Sequence, residues 1–300
     1  MVAPWCGAWC GESLDGSSLE IERIPLAAAE SAPVLAAFDE QLYLAWEGVD
    51  HAVHWTTFDG VSWAPGQTIE GVATSARPAI AVFRHQIHAV WRGLEPDRTL
   101  WTTSFDGKTW APQQWIGPIA TIEGPALAAW DCELYVAWEA EDTTNIWWTS
   151  FDGKEWAPPQ LMEGAATSTG LALAGAGKLY ATWKGFASDP GIWWSTFDGT
   201  TWAPQSSVAV AETNMRPALA STGDKVYLAW NGLENDPSIW WTSFKGVGVA
   251  PWQPVRGATT STTPAIVVWG DELCAAWKGA GLDSTGVYVA CGLKRLPLQP

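Results

Sequence analysis

A stretch of 14 residues that recurs along the chain constrains the fold more than any other feature. Residues 145–158 read NIWWTSFDGKEWAP, which predicts a strand over 146–151, a tight turn at Asp152-Gly153 and a second strand opened by Trp156. Related stretches occupy residues 53–65, 100–112, 192–204 and 239–251. Such self-similarity indicates a repeat architecture.

Each repeat contains four short apolar stretches bounded by Gly, Asp and Pro, which is typical of strands. In the third repeat these stretches are residues 125–130, 134–138, 146–151 and 156–161, and we name the four strands a, b, c and d. No segment shows the 3.6-residue periodicity of an amphipathic helix over a dozen residues.

A tryptophan closes strand b in every repeat, and successive copies are 45, 47, 45, 47 and 47 residues apart. The six copies are Trp46, Trp91, Trp138, Trp183, Trp230 and Trp277. Four strands in 40–50 residues is the signature of one blade of a β-propeller. The sequence therefore predicts an all-β, six-bladed propeller with four antiparallel strands per blade, forming a single domain over residues 1–300.

The two ends of the chain are predicted to close the ring together. Strand a begins six times, near Pro33, Pro78, Pro125, Gly170, Pro217 and Pro264. The tail after the sixth strand c contains no strand d, whereas residues 19–24 (LEIERI) precede Pro33 at the spacing expected of one. We therefore expect residues 19–24 to form the outer strand of the C-terminal blade. Residues 1–18 stay unassigned, although 13–19 look like a degenerate copy of the repeated turn.

The repeated turn has the pattern S/T-F-D-G-x-x-W in blades one to four. Asp-Gly favours a hairpin turn, because Asp accepts local backbone hydrogen bonds and Gly adopts positive φ. The pattern resembles the Asp-box of bacterial sialidases, although it lacks one residue between Asp and Gly, and blade five has Lys245 and Val249 instead of Asp and Trp. In the sialidases this turn lies on the face away from their active site, so the resemblance implies a structural turn between strands c and d here. A catalytic or metal-binding role for these carboxylates is the weaker alternative.

Candidate binding residues cluster on the opposite face, which the b–c and d–a loops form. A polar residue follows the strand-b Trp in each blade: Glu47, Arg92, Glu139, Lys184, Asn231 and Lys278. Each b–c loop carries an acid: Asp50, Asp97, Asp142, Asp189, Asp236 and Asp283. Strand c begins with aromatic residues that include Trp101, Trp147-Trp148, Trp193-Trp194 and Trp240-Trp241. The d–a loops add Thr-Ser pairs, Arg77 and Arg216.

An aromatic wall beside charged and amide groups suits a sugar ring, whose C–H face stacks on indole while hydrogen bonds fix its hydroxyls. Adjacent strand residues point to opposite faces, so one Trp of each pair should face the preceding blade and the other the following blade. The alternative for any single Trp is packing between blades, with the acids capping loops. The architecture resembles the propeller lectins of the Aleuria and Photorhabdus types, which implies Trp-lined sugar pockets between blades. The Arg-Glu-Trp set of the fucose lectins is not matched in every blade.

Two other functions stay open. A sialidase-like hydrolase or lyase would need arginines converging on the axis, and Arg77, Arg92, Arg98 and Arg216 are available. A protein-interaction scaffold would expose a broad aromatic patch. We expect a multivalent carbohydrate-binding protein, not an enzyme, with glycans as partners, no cofactor and no metal.

Charge and cysteine content exclude further classes. With 16 basic and 32 acidic residues the net charge is −16, which disfavours nucleic acids and anionic membranes. No apolar run predicts membrane insertion, and the N-terminus does not read as a signal peptide, so we expect a cytoplasmic protein or a secreted one without its leader. Five cysteines at irregular positions, including Cys6 and Cys10, predict no disulfide framework. We expect a monomer or a small homo-oligomer.

Overall fold

The chain forms a ring of six antiparallel sheets, which confirms the predicted six-bladed propeller. The structure is a computed structural model that describes residues 10–12, 18–233, 236–245 and 248–293. Strands a to d run from the axis of the ring to its rim. Among the described residues the one helical element is a single 3₁₀ turn, Gly281–Asp283, and none is long and apolar enough to span a membrane.

The strands are numbered in chain order. The N-terminal pair is β1 (Cys10–Glu12) and β2 (Ser18–Ala28). Blade one comprises β3 (Val34–Phe38), β4 (Gln41–Glu47), β5 (Ala52–Phe58) and β6 (Gln67–Ala73). Blade two comprises β7 (Ala79–Phe83), β8 (Gln86–Arg92), β9 (Thr99–Phe105) and β10 (Gln114–Ala120). Blade three comprises β11 (Ala126–Trp130), β12 (Glu133–Glu139), β13 (Asn145–Phe151) and β14 (Gln160–Ala166).

Blade four comprises β15 (Leu171–Ala176), β16 (Lys178–Lys184), β17 (Gly191–Phe197) and β18 (Ser206–Glu212). Blade five comprises β19 (Ala218–Thr222), β20 (Lys225–Asn231), β21 (Ser238–Lys245), the short β22 (Gly248–Val249) and β23 (Gln253–Thr259). Blade six comprises β24 (Ala265–Trp269), β25 (Glu272–Lys278), β26 (Gly286–Ala290) and the N-terminal strand β2.

The hydrophobic core is divided among the interfaces between blades. The buried apolar side chains form six clusters, and each cluster joins residues of two neighbouring blades. Strand b is buried on both faces: in β4, for example, Leu42 and Leu44 face blade six while Tyr43 and Ala45 face blade two. The six strand-b tryptophans are 1–4% exposed and belong to these clusters. Radial packing therefore buries both faces of each sheet.

The N-terminal strand closes the ring as predicted. β2 pairs antiparallel with β26, with Ile21 opposite Ala290 and Arg23 opposite Tyr288, and it extends beyond the predicted residues 19–24. β1 pairs with the outer edge of β2 as a fifth strand of the sheet. The degenerate turn suggested for residues 13–19 falls largely on residues outside the described ones.

A disulfide within blade six was not predicted. Cys274 on strand b is bonded to Cys291, which follows strand c. The odd number of cysteines at irregular spacings predicted no disulfide, and the pairing of β25 with β26 brings these two positions together. Cys132 is a free, exposed thiol, and Cys6 lies outside the described residues.

The repeated turn connects strands c and d as predicted. Asp152 Oδ1 accepts hydrogen bonds from the backbone N–H groups of Lys154 (2.7 Å) and Glu155 (2.9 Å), and Gly153 adopts φ +94°. The flanking Phe151 and Trp156 rings contact each other at 5.0 Å between centroids. Phe151 also contacts Phe83 of blade two, so the turn contributes to the interface between blades.

The expected start of strand d was wrong. Trp156 forms only an isolated bridge with Phe151, and the outer strand begins at Gln160 rather than at Trp156. The intervening Pro158 and Pro159 have no N–H to donate, so the ladder cannot continue through them. The Trp therefore belongs to the turn and not to the outer strand.

Closure of the ring by β2 predicts a difference between two apolar truncations in this strand. Ile24 is 3% exposed in the cluster between blades six and one, whereas Leu26 is 99% exposed. We expect Ile24→Ala to lower the free energy of unfolding by about 2–5 kcal/mol and Leu26→Ala by less than about 0.5 kcal/mol. Urea unfolding of both variants measures this. Equal effects would contradict the assignment of β2 as the closing strand.

The turn aspartates predict a defined acid sensitivity. Backbone hydrogen bonds from Thr201 and Thr200, together with the Thr200 hydroxyl, lower the pKa of Asp198 to about 2. Because the folded-state pKa lies below the unfolded value of about 3.9, the stabilisation is complete above that pH and is lost as the pH falls towards 2. The stability difference between wild type and Asp198→Ala should therefore shrink over this range in urea unfolding. A difference independent of pH would show that the ionised carboxylate is not what holds the turn.

Candidate functional site

Each blade carries a ladder of three side chains on the face that meets the preceding blade. The strand-b Trp lies directly opposite an aromatic residue or His of strand c, and this residue lies opposite a strand-d residue that differs between blades. From blade one to blade six the ladders are Trp46–His54–Thr68, Trp91–Trp101–Trp115, Trp138–Trp147–Leu161, Trp183–Trp193–Ser207, Trp230–Trp240–Pro254 and Trp277–Tyr288–Arg23.

The strand-b and strand-c residues of each ladder, which we call its two inner rungs, differ in exposure. The strand-b tryptophans are buried, whereas the strand-c rungs are half-buried and border the clefts between blades. The second aromatic of each strand-c pair faces the other way: Trp147 packs with blade two, while Trp148 packs with blade four. This matches the alternation expected from the sequence.

The acids of the b–c loops hold these rings in place. Asp97, Asp189 and Asp236 each accept a hydrogen bond from the indole Nε1–H four residues later, at 2.7, 2.8 and 2.7 Å. The other oxygen of each carboxylate accepts the backbone N–H two residues later. In blades one and six, Asp50 Oδ1 lies 2.8 Å from His54 Nε2, and Asp283 Oδ2 accepts a 2.6 Å hydrogen bond from the Tyr288 hydroxyl. Asp142 is exposed and makes no such bond among the described residues, so the Trp147 ring lacks this support.

The polar residues that follow the strand-b tryptophans form hydrogen bonds with the surrounding loops. Five of them are buried: Glu47, Arg92, Glu139, Lys184 and Asn231. The Arg92 guanidinium donates to the Ile122 carbonyl in the next d–a loop (2.7 Å), and the Asn231 carbonyl oxygen accepts from the hydroxyl of Thr213 in the preceding one (2.8 Å). Lys184 donates to the carbonyls of Gly185 and Ala187, and half-buried Lys278 to that of Glu30. Glu47 contacts His51.

Glu139 is electrostatically unusual among these buried residues. Its Oε2 accepts the N–H of Gly170 (3.1 Å), and its Oε1 has no hydrogen-bond partner among the described residues. Burial raises the pKa of Glu139 to about 7, which nearby Arg216 and Lys184 partly oppose. The bond from Gly170 requires a residue other than proline at this position, and Gly170 is the single strand-a start that is not Pro.

One well-formed cleft lies between blades four and five. It has a volume of about 360 Å³ and is lined by Trp230, Trp240, Trp252, Asp236 and Glu212, with Val210, Gly232 and Leu233. Trp252 contacts both other rings, at 5.7 Å from Trp230 and 5.5 Å from Trp240 between centroids, and is 44% exposed.

Sequence reasoning missed Trp252 because it does not recur. The equivalent position, directly after the Ala-Pro that ends the repeated turn, is held in blades one to four by Gly66, Gln113, Pro159 and Gln205. The available signal was the irregularity of blade five, which has Val249 where the other turns have Trp and carries a Trp three residues later. Arg23 and Trp115 were missed for the same reason, because strand d is the least regular part of the repeat. Trp115 is 53% exposed beside Trp101, and Arg23 forms a 2.7 Å ion pair with Asp283.

Known structures share this architecture at low sequence identity. The chain matches no protein-family model and no curated protein. It is similar to the SapL1 lectin in complex with α-methyl fucoside, with a TM-score of 0.65 and 18% identity over 91% of this chain and 98% of that one. It is also similar to the fucose-recognising lectin of Aleuria aurantia, a six-bladed β-propeller, with a TM-score of 0.61 and 13% identity over 93% and 98%. A Hadza microbial sialidase matches with a TM-score of 0.66 and 11% identity over 88% and 66%. At these identities the comparisons establish the fold.

Of the four arginines expected on the binding face, two meet at the axis of the ring and two do not. Arg77 and Arg216 line a cavity on the axis of the ring, away from the clefts. Arg92 is directed into the loops, and Arg98 forms ion pairs with Glu95 and Glu141 near the surface. The ligand-binding set predicted from the sequence is therefore divided among the clefts, the buried loop contacts and the axis.

The carboxylate–indole bond predicts a stability difference between two loop acids. Asp236→Ala leaves the Trp240 Nε1–H without its partner and removes a loop cap, so we expect a loss of about 1–3 kcal/mol in the free energy of unfolding. Asp142→Ala provides the matched control in blade three, where we expect a change within about 0.5 kcal/mol. Urea unfolding measures both. A loss as large for Asp142→Ala would contradict the role assigned to the indole bond.

Proposed function

We propose that the protein is a lectin that binds carbohydrates in the clefts between its blades, on the face formed by the b–c and d–a loops. The observation that carries this proposal is the cleft between blades four and five, where Trp230, Trp240 and Trp252 line about 360 Å³ beside Asp236 and Glu212. Ligand clefts of roughly 300–1,000 Å³ with aromatic walls and a few polar groups are typical of small-molecule sites.

The chemistry of this cleft suits a sugar ring. The half-buried Trp240 and the exposed Trp252 offer an apolar surface to the C–H groups of a pyranose. Asp236 keeps Trp240 in one orientation, so little side-chain freedom is lost on binding. Glu212 at the edge of the cleft provides a carboxylate that accepts hydrogen bonds from hydroxyl groups.

The same ladder in every blade supports multivalent binding. The strand-b and strand-c rungs recur six times, while the strand-d rung varies from Thr68 and Ser207 to Trp115 and Arg23. The clefts therefore share an aromatic wall and differ at the rim, which favours sites of unequal affinity and preference. Several such sites on one rigid ring would increase the avidity for a clustered glycan. The similarity to fucose-recognising lectins is consistent with this function.

Binding is expected to depend on Trp240 and Trp252 of blade five. A glycan array identifies a ligand, and isothermal titration calorimetry then compares Trp240→Ala and Trp252→Ala with wild type. We expect each substitution to weaken the blade-five site about 30-fold or more, the effect of losing about 2 kcal/mol. Trp269→Phe is the control, because Trp269 lies on the opposite face and bonds the Glu40 carbonyl.

The titration also separates the lectin from its alternatives. More than one site per chain supports the proposal. A single glycan-binding site at the axis, or turnover of a sialoside or glycoside, would replace it with the hydrolase. No binding to any glycan would favour the protein-interaction scaffold.

A further inference from the structure

Two arginines face a cavity on the axis of the ring that the lectin function does not use. Arg77 precedes strand a of blade two and Arg216 precedes strand a of blade five, so they enter from opposite sides of a six-membered ring. Both line a cavity of about 90 Å³ whose other walls come from the first residues of the strands a. This volume is several water molecules in size and is too small for a sugar.

Neither guanidinium has a carboxylate partner. Among the described residues neither Arg77 nor Arg216 forms an ion pair. Arg77 directs Nε and Nη2 to a single acceptor, the Pro33 carbonyl, at 3.2 and 3.0 Å. Arg216 is 6% exposed and donates Nη2 to the Gly124 carbonyl, while its buried Nε has no partner. Glu123 and Glu139 act on Arg216 only at longer range.

The surrounding backbone makes room for these two cations. A Cβ at Gly170 would lie 2.8 Å from Nη2 and 3.0 Å from Nε of Arg216, and Gly170 replaces the proline that begins strand a in the other five blades. Gly124, whose carbonyl accepts from Arg216, also packs against the backbone of Arg77, where a Cβ would lie 2.1 Å from the carbonyl oxygen. Side chains at these two glycines would therefore collide with Arg216 or with the backbone of Arg77, the two residues whose like charges meet at this cavity.

Arg216 is buried and Arg77 half-buried, and neither has a carboxylate of a described residue within ion-pair distance, so their two charges are costly unless a ligand compensates them. Burial lowers the pKa of both arginines, and the charge of Arg216 contributes to the lowering at Arg77. Guanidinium groups nevertheless stay charged at neutral pH. Arginine N–H groups match the oxygens of carboxylate and phosphate in geometry as well as in charge.

We infer that the axial cavity is a binding site for a small oxyanion, such as a carboxylate, phosphate or sulfate, which Arg77 and Arg216 hold from opposite sides. The bound anion satisfies the free Nε of Arg216 and the remaining N–H groups of Arg77. It also links blade two to blade five across the axis, and therefore stabilises the closed ring. This site is separate from the sugar clefts.

The first test is thermal unfolding of the full chain in a zwitterionic buffer, titrated separately with acetate, phosphate and sulfate. Because a ligand that binds the folded state raises the melting temperature with its concentration, we expect a saturable rise for at least one anion. Arg77→Gln and Arg216→Gln should each weaken the apparent affinity by about tenfold or more. Arg84→Gln removes an equal charge from an exposed position over the Phe83 ring and should leave the affinity unchanged.

A second test does not depend on the folding of the variants. Crystals of the wild-type protein soaked in selenate should show an anomalous peak in the axial cavity, within hydrogen-bond distance of both guanidinium groups. Absence of that peak, or an anion response that Arg84→Gln reduces as much as the axial substitutions do, would overturn the inference. Trp240→Ala and Trp252→Ala should retain the full anion response, so the outcome for this site is independent of the outcome for the lectin.

Discussion

The structure depends on the burial of one tryptophan per blade at the end of strand b. Each of these indoles is at most 4% exposed and lies in a cluster shared with a neighbouring sheet. A sheet of four short strands cannot bury its own faces, so the ring is stable only when every interface is filled. The large, rigid indole provides much of the contact between neighbouring sheets. This explains why every repeat has a Trp at this position while the loops around it vary.

The same packing shapes the clefts that we propose as ligand sites. Because the strand-b indole fills the base of each interface, the strand-c ring opposite it lies closer to the surface, and the loop carboxylate fixes its orientation. The polar residues next to the strand-b Trp are consequently directed into the loops, where they replace water as hydrogen-bond partners of buried carbonyls. The strand-b Trp thus stabilises the interface between blades, and the strand-c ring opposite it is the proposed binding surface.

The regular parts of the fold were predictable and the irregular parts were not. The spacing of Trp46, Trp91 and the four later copies determined the number of blades, and counting strands placed the closing strand at the N-terminus. The start of strand d was misplaced because Trp156 looks like a strand residue, although the prolines after it break the ladder. The disulfide between Cys274 and Cys291 depends on one strand pair, which spacing alone does not reveal.

For the candidate site, sequence reasoning found the strand-c tryptophans and the acids that hold them. It did not separate the buried Glu139 and Lys184 from groups open to a ligand, because burial depends on the neighbouring blade. It also passed over Trp252 and Gly170, each of which occurs once. In a repeat protein the departures from the repeat carry most of the specific chemistry, and a search for recurring positions does not detect them.

We propose that the strand-c indoles, together with Trp252 of blade five, form the walls of sugar-binding clefts. The most direct measurement is a titration of the ¹⁵N-labelled protein with a glycan-array ligand, following the indole N–H resonances by NMR. We expect the Trp240 and Trp252 resonances to shift until saturation, while that of Trp269, on the opposite face, stays in place. Saturable glycan binding that leaves both blade-five resonances unchanged would contradict the proposal.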